Sequence, residues 1–209
     1  MDAAATEFDL HGYEGTSLAR ISRTAGVTLG ALTFHFPSKA ALADAVRSEG
    51  AAVTGAAVPG AAGGGRRPDP GVGGLIDLLT RLLDEEPSVR AAARLSWEQP
   101  GSAGDWHAAW GPELRDRLAR ERSAVPADDV SAGAAPVLDE VDLETLAHCL
   151  VAGSAALRRG IVRLGGAGPV APEELRRRLQ RLWQHAAAGA VTPAGSSAPR
   201  LNRLAAPNV

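Results

Sequence analysis

Few side chains in this 209-residue sequence combine a reactive type with a suggestive spacing, and the most suggestive pair fails on geometry. His148 and Cys149 are adjacent. Neighbours on a helix point about 100° apart, so these two do not form a nucleophile and its base. The glycines of 165–168 are not followed by the Lys-Ser/Thr that a phosphate-binding loop needs. No two histidines stand four apart, as a helical metal pair would, and the lone Cys149 supports neither an internal disulfide nor a cysteine-rich metal site. The expectation is a protein that is not an enzyme and holds no metal or cofactor. What remains is the chemistry of recognition. It is concentrated in a run of hydroxyl-bearing and small apolar residues from Thr16 to Lys39, and in three tryptophans, Trp97, Trp106 and Trp110.

The first of these runs dictates its own local structure. Thr16-Ser17 is a helix start signal before Leu18, Ile21 and Ala25, whose spacing of three and four marks one helix face. Gly26 follows where a left-handed residue must end that helix. Thr28 then caps a second short helix that stops before Pro37. Two short helices joined by a tight glycine-containing turn form a helix-turn-helix, whose second helix enters the DNA major groove and reads base edges. On that reading Thr28, Leu29, Gly30 and Ala31 face the bases. Thr28 hydrogen-bonds a phosphate or base, and Leu29 and Ala31 meet thymine methyls. None is an Arg, Asn or Gln capable of bidentate readout, so discrimination per base should be small. His35 stands either beside the phosphate backbone or packed as a neutral imidazole. Ser38-Lys39 opens the next helix, where a cap and a cation together hold a phosphate.

The fuller string from Gly12 to Lys39, G-Y-E-G-T-S-L-x-x-I-x-x-x-A-G-V-T-x-G-A-L-x-F-H-F-x-S-K, resembles the DNA-binding head of the TetR-type repressors. The resemblance implies an all-α homodimer, with an N-terminal three-helix head that binds a DNA operator and a C-terminal domain that binds a small-molecule effector and dimerises through its last two helices. Thr16 and Ser17 join the expected DNA-contacting set on this basis. Thr33 stands where that family usually carries a backbone-reaching tyrosine, a departure that shortens one contact. Met1 falls inside the first helix, where the family has an earlier start and often a basic arm, so the expectation is a start further upstream or a head without the arm. A second likeness, W-G-P-E-L-R-D-R-L from Trp110 and L-A-H-C-L-V-A-G-S from Leu146, together with G-A-L-x-F-H-F in the head, is similar to the γ-butyrolactone autoregulator receptors, a TetR-type branch. That likeness implies a repressor released from DNA by a butyrolactone or butenolide. Trp110 would then be the pocket tryptophan and Ser154 a hydrogen-bond partner, with Trp97 and Trp106 beside them.

Charge argues against an easy reading. Residues 1–50 hold four basic residues (Arg20, Arg23, Lys39, Arg47) against six acidic ones (Asp2, Glu7, Asp9, Glu14, Asp44, Glu49), and the whole chain has net charge −2. A nucleic-acid binder usually shows a basic footprint. The electrostatic part of DNA binding should therefore be weak. The alternative is a helical interaction module, or a pseudo-receptor that has lost ligand response or DNA binding.

The elements that must position these residues are helical throughout. The first helix, with Phe8 and Leu10, stops at Gly12, and Phe8 and Tyr13 pack on Leu18 and Ile21. Residues 1–50 form the head. Residues 51–74, rich in glycine and proline from 55 onward, read as a flexible linker unsuited to a helix. Residues 75–188 form the effector and dimer domain. Its apolar stripes are Leu75-Ile76-Leu79-Leu82-Leu83, then Val89-Ala92-Leu95-Trp97, then Trp106-Trp110-Leu114-Leu118 on a helix from 106 to 124. A long helix over 141–164 and a last one opened by Pro172-Glu173-Glu174 complete it. The Arg176-Arg177-Arg178 run reads as a solvated face. Residues 125–137 read as a loop and 189–209 as a disordered tail. No apolar run is long enough to span a membrane and no leader precedes the first motif, so the expected compartment is the cytoplasm, at the nucleoid.

Overall fold

The computed structural model describes residues 1–63, 71–100, 104–123, 139–158 and 171–191. These residues form helices and no strand: α1 (Asp2–Gly15), α2 (Leu18–Thr24), α3 (Leu29–His35), α4 (Lys39–Gly63), α5 (Gly71–Glu85), α6 (Pro87–Glu98), a 3-10 turn (Trp106–Ala109), α7 (Gly111–Ser123), α8 (Glu140–Arg158) and α9 (Pro172–Val191). The all-α architecture follows from the apolar spacing. Among the described residues no helix is long and apolar enough to cross a membrane.

The head forms around one small core. Ala4, Ala5 and Phe8 of α1 meet Ile21 of α2 and Leu42, Ala43 and Val46 of α4, with Tyr13, Leu18, Leu32 and Phe36 packed around them. Phe8 is fully buried and stacks on Tyr13 at 6.3 Å between ring centroids. Burial of a side chain of that size contributes about 1.5–3 kcal/mol. The helical run of α1 breaks at Gly12 (φ 71°, ψ −178°), where the sequence places its stop. At Gly26, φ of 68° turns the chain from α2 toward α3, a conformation that a Cβ would strain. Ala91 and Leu95 of α6 complete this core, so the head is built partly from a helix that the sequence assigns to the body.

The body is a second apolar cluster. Val72, Leu75, Ile76, Leu79 and Leu83 of α5 lie at its centre, with Trp106, Trp110, Leu114 and Leu118, Leu143, Ala147 and Val151 of α8, and Leu175, Leu179 and Trp183 of α9 around them. Three expectations need correction. The segment 55–74 is helical wherever it is described: α4 continues through Pro59 to Gly63, and α5 already begins at Gly71. The glycine and proline content predicts a break, yet Val58 is 4% exposed in the body cluster, with Val53 and Ala57 packed beside it. Tertiary burial overrides weak local propensity. Secondly, the helix expected from 106 to 124 begins as a 3-10 turn and becomes α-helical only at Gly111. Pro112 has no N–H with which to continue an α-helical ladder from Ala108. Thirdly, Arg176 is not solvated, because its Nη1 donates to Asp84 Oδ2 at 2.8 Å, while Arg177 and Arg178 are exposed.

The linker core at 64–70, the loop at 125–137, the continuation of the long helix over 159–164 and the tail beyond Val191 lie outside the described residues. The backbone of 189–191, expected in the tail, is still the end of α9.

Candidate functional site

Two surfaces carry the recognition residues. On the head, Ser17 and Thr28 cap α2 and α3. Ser17 Oγ accepts from the Arg20 N–H at 3.2 Å, and Thr28 Oγ1 from the Ala31 N–H at 3.1 Å. A capping oxygen uses its lone pair, which leaves the hydroxyl proton to donate outward. Helix α3 has no fully buried residue. Leu29 is 46% exposed, Gly30 and Ala31 are exposed, and an added Cβ at Gly30 would meet no neighbour. His35 is exposed rather than packed, with its ring edge-to-face on Phe34 at 5.2 Å. Ser38 Oγ accepts from the Ala41 N–H at 3.1 Å, so the start of α4 is capped as the sequence requires.

Three expected contact residues are already engaged. Thr16 is 2% exposed and its hydroxyl donates to the Glu7 carbonyl at 3.0 Å, which locks α1 to α2 and takes this side chain out of the surface. The half-buried Thr33 donates back to the Leu29 and Gly30 carbonyls at 3.0 and 3.2 Å, which leaves it able only to accept. Lys39 Nζ donates to the Tyr13 carbonyl at 2.9 Å and sits 4.2 Å from the centre of the Tyr13 ring, so one of its three protons and part of its charge are spent holding α4 to the end of α1.

The sequence reading missed Phe34, which is 85% exposed in the last turn of α3. The signal was available, because Leu32 and Phe36 share the inner face four residues apart and residue 34 must then point away from it. The acidic balance of the head is also less adverse than its sum. Glu7 beside Arg20 and Asp44 beside Arg47 leave the sum unchanged, but Asp9 takes Arg90, a cation from outside the head, at 2.7 Å.

In the body, Trp106, Trp110, His107 and His148 converge. Ring centroids lie 5.6 Å apart for Trp106–Trp110, 4.6 Å for Trp110–His148 and 6.1 Å for His107–His148. Trp97, 36% exposed, donates its indole N–H to His107 Nε2 at 3.0 Å, and His107 Nδ1 lies 3.0 Å from Asp105 Oδ1. Trp97 and Asp105 thus hold the His107 ring from its two nitrogens, with Nδ1 turned to the carboxylate. Burial pushes the Asp105 carboxyl up, but the His107 backbone N–H, ring and charge and the Ser96 hydroxyl outweigh it, so it is held below its ordinary value.

The three tryptophans differ in what they leave open. Trp106 donates to Thr54 Oγ1 at 2.7 Å, a buried bond that ties the turn to α4 and leaves that N–H no further role. Trp110 is 1% exposed, and its Nε1 has no hydrogen-bond partner among the described residues. Beside it, His148 Nδ1 lies 2.8 Å from the Glu144 carbonyl, which puts the proton there and leaves Nε2 as an acceptor. Donor and acceptor thus stand side by side in an aromatic wall. His148 was passed over in the sequence because only its neighbour Cys149 drew attention to it. Ser154 does not join this cluster. It is fully buried, its hydroxyl donates to the Val151 carbonyl at 2.7 Å, and Arg158 Nη2 lies 3.3 Å from its oxygen.

Residues 1–46 match the family described as bacterial regulatory proteins, tetR family. The A-factor receptor protein of Streptomyces griseus is 53% identical over 49 residues, a match that covers 23% of this chain and spans 18% of that relative's length. Over most of the chain the fold is similar to two solved structures. One, solved for the molecular basis of control of antibiotic production by bacterial hormones, is 26% identical with a TM-score of 0.62 over 88% of this chain and 93% of its own. The other, a γ-butyrolactone receptor described as an ArpA-like protein, is 26% identical with a TM-score of 0.56 over 88% and 92%.

Proposed function

We propose that this chain, a TetR-family transcriptional regulator resembling γ-butyrolactone receptors, is a homodimeric repressor that a small lactone releases from its operator. The observation that carries the DNA-binding part is α3. A helix with no fully buried residue, carrying Leu29 and Phe34 to solvent between two capped N-termini, contributes little to its own core and is shaped to meet an outside surface. Base and sugar contacts fall to Thr28, Leu29, Gly30, Ala31 and Phe34. Ser17, His35 and Lys39 serve the phosphates.

The effector reading is supported by Trp110 and His148. A buried indole N–H without a partner is costly unless something else accepts from it. A lactone carbonyl fills that need, and a ligand hydroxyl donating to His148 Nε2 would complete the pair. Trp97 and Trp106 form the wall rather than the polar anchor. Dimerisation through α8 and α9 is supported by Val141 and Leu182, which are 70% and 55% exposed on those helices, and a two-fold dimer fits a palindromic operator. The effector acts only through its differential affinity for the DNA-competent and DNA-incompetent arrangements of the two heads.

A gel shift of the full chain with DNA from its own promoter, at low salt, tests the reading. A specific shift reversed by a synthetic γ-butyrolactone is the expected result. A specific shift that no lactone or butenolide reverses would replace the receptor reading with a pseudo-receptor. Absence of any specific shift would favour an interaction module.

A further inference from the structure

A cavity of about 480 Å³ lies where α1 of the head meets α5, α6 and α8 of the body, far in chemical character from the tryptophan cluster. That volume is within the range of small-molecule sites. Its walls are of two kinds. Leu10, Leu83 and Ala155 give an apolar surface, and Arg90 and Arg158 bring two guanidinium groups to it beside Asp9 and Asp84.

The charged groups there are crowded, two guanidinium groups against two carboxylates in the lining itself. Asp84 is shared: one carboxylate oxygen takes Arg158 and the other takes Arg176 at 2.8 Å. Arg90 is divided between Asp9 Oδ2 at 2.7 Å and the Asp84 carbonyl at 2.9 Å near the end of α5. Three arginines thus face two carboxylates, with Asp77 a looser third at 3.7 Å from Arg176. Burial pushes the Arg158 guanidinium below its ordinary value, and the charges of Arg90 and Arg176 push the same way, against the pull of Asp84. A further anion relieves such crowding.

We infer that this junction is a second ligand site, one that takes an amphiphilic monocarboxylate: the acid group between Arg158 and Arg90, the short apolar chain along Leu10, Leu83 and Ala155. A neutral lactone does not satisfy it, so its ligand class differs from that of the Trp110 site. Its position gives it a consequence. Arg90 is the body residue that holds Asp9 of α1, and α1 is bound to α6 by two further links, Arg94 to the Asp9 carbonyl at 2.6 Å and Glu98 to the Tyr13 N–H at 2.6 Å. A carboxylate that draws Arg90 from Asp9 loosens one of these three links between α1 and α6. By linkage, the acid weakens operator binding and the operator weakens acid binding by the same factor.

Isothermal titration of the full chain with sodium octanoate, and with octanamide as the neutral control, tests this. The expected result is saturable binding of octanoate at one site per chain, with octanamide at least tenfold weaker. Arg158→Gln should cost octanoate at least tenfold. Since that arginine also braces Asp84, a second variant, Leu10→Trp, narrows the mouth from a position 64% exposed and outside both cores, and should weaken octanoate severalfold with the melting temperature unchanged. Equal binding of octanoate and octanamide would overturn the proposal. So would unchanged octanoate affinity in Leu10→Trp, or no saturable octanoate binding at all.

Discussion

Substituting Thr54 by valine probes the buried hydrogen bond that joins α4 to the candidate effector site. Thr54 and Trp106 are both fully buried, and the indole N–H reaches Thr54 Oγ1 at 2.7 Å. Valine keeps the shape and the β-branch but removes the acceptor, so the indole N–H is left unsatisfied in the core. An orphaned buried donor costs about 1–3 kcal/mol, because water cannot replace the lost partner. For a chain of this size a loss of about 2 kcal/mol lowers the melting temperature by roughly 4–8 °C. Trp106→Phe loses the donor and some packing volume, and the double variant removes both partners. Since replacing both ends of a hydrogen bond by apolar groups costs far less than orphaning one, the double variant should be less destabilised than the two single losses summed, by at least about 1 kcal/mol. Calorimetric or urea unfolding of the four proteins measures this coupling. Additive single effects, or a Thr54→Val protein as stable as the parent, would refute the reasoning and with it the packing of α4 against the turn before Trp110.

Other outcomes follow from the same geometry. Phe34→Ala should leave the melting temperature unchanged, as exposed positions do, while weakening operator binding roughly 10- to 100-fold through loss of a side chain worth about 1.5–3 kcal/mol when covered. The salt dependence of operator binding should be shallow. If Lys39 and Arg23, the exposed basic residue in the last turn of α2, are the two cations that each head brings to the phosphates, a dimer neutralises about four phosphates, for a slope of about −3.6 in log K against log salt. A slope near −8 would mean that cations outside this set carry the contact. Asp105 has a folded pKa below its unfolded value, so its contribution to stability is present above the unfolded pKa near pH 4 and is lost as pH falls through the folded pKa. Melting curves of Asp105→Asn and the parent should therefore converge at the acid end and separate at neutral pH.

The legible parts of this fold were those fixed by local chemistry. Ser17, Gly26 and Thr28 specify the ends of α2 and α3 by caps and a left-handed turn that need no knowledge of the rest of the chain. The stop of α1 at Gly12 was legible for the same reason. What failed was decided by long-range packing. The glycine- and proline-rich run after residue 54 is a poor helix by propensity, and it is held helical by Val53, Ala57 and Val58 on the body core. Thr16 and Ser17 look alike as start signals, yet a partner nine residues away, the Glu7 carbonyl, engages the buried Thr16 while Ser17 stays exposed. The body site shows the same division. Trp106 and Trp110 share a face by spacing, but which indole is satisfied depends on Thr54, in a segment where no helix was expected. Ser154 was placed on the right helix, and its neighbour Arg158, not the tryptophans, claims it.

The most direct measurement is fluorescence anisotropy of labelled operator with the parent and with Trp110→Phe, titrated with a γ-butyrolactone. Phenylalanine keeps an aromatic ring and removes the unpartnered N–H. The account predicts operator affinity within twofold of the parent and a lactone concentration for half-release raised at least tenfold. Release of Trp110→Phe at the parent's lactone concentration would contradict it.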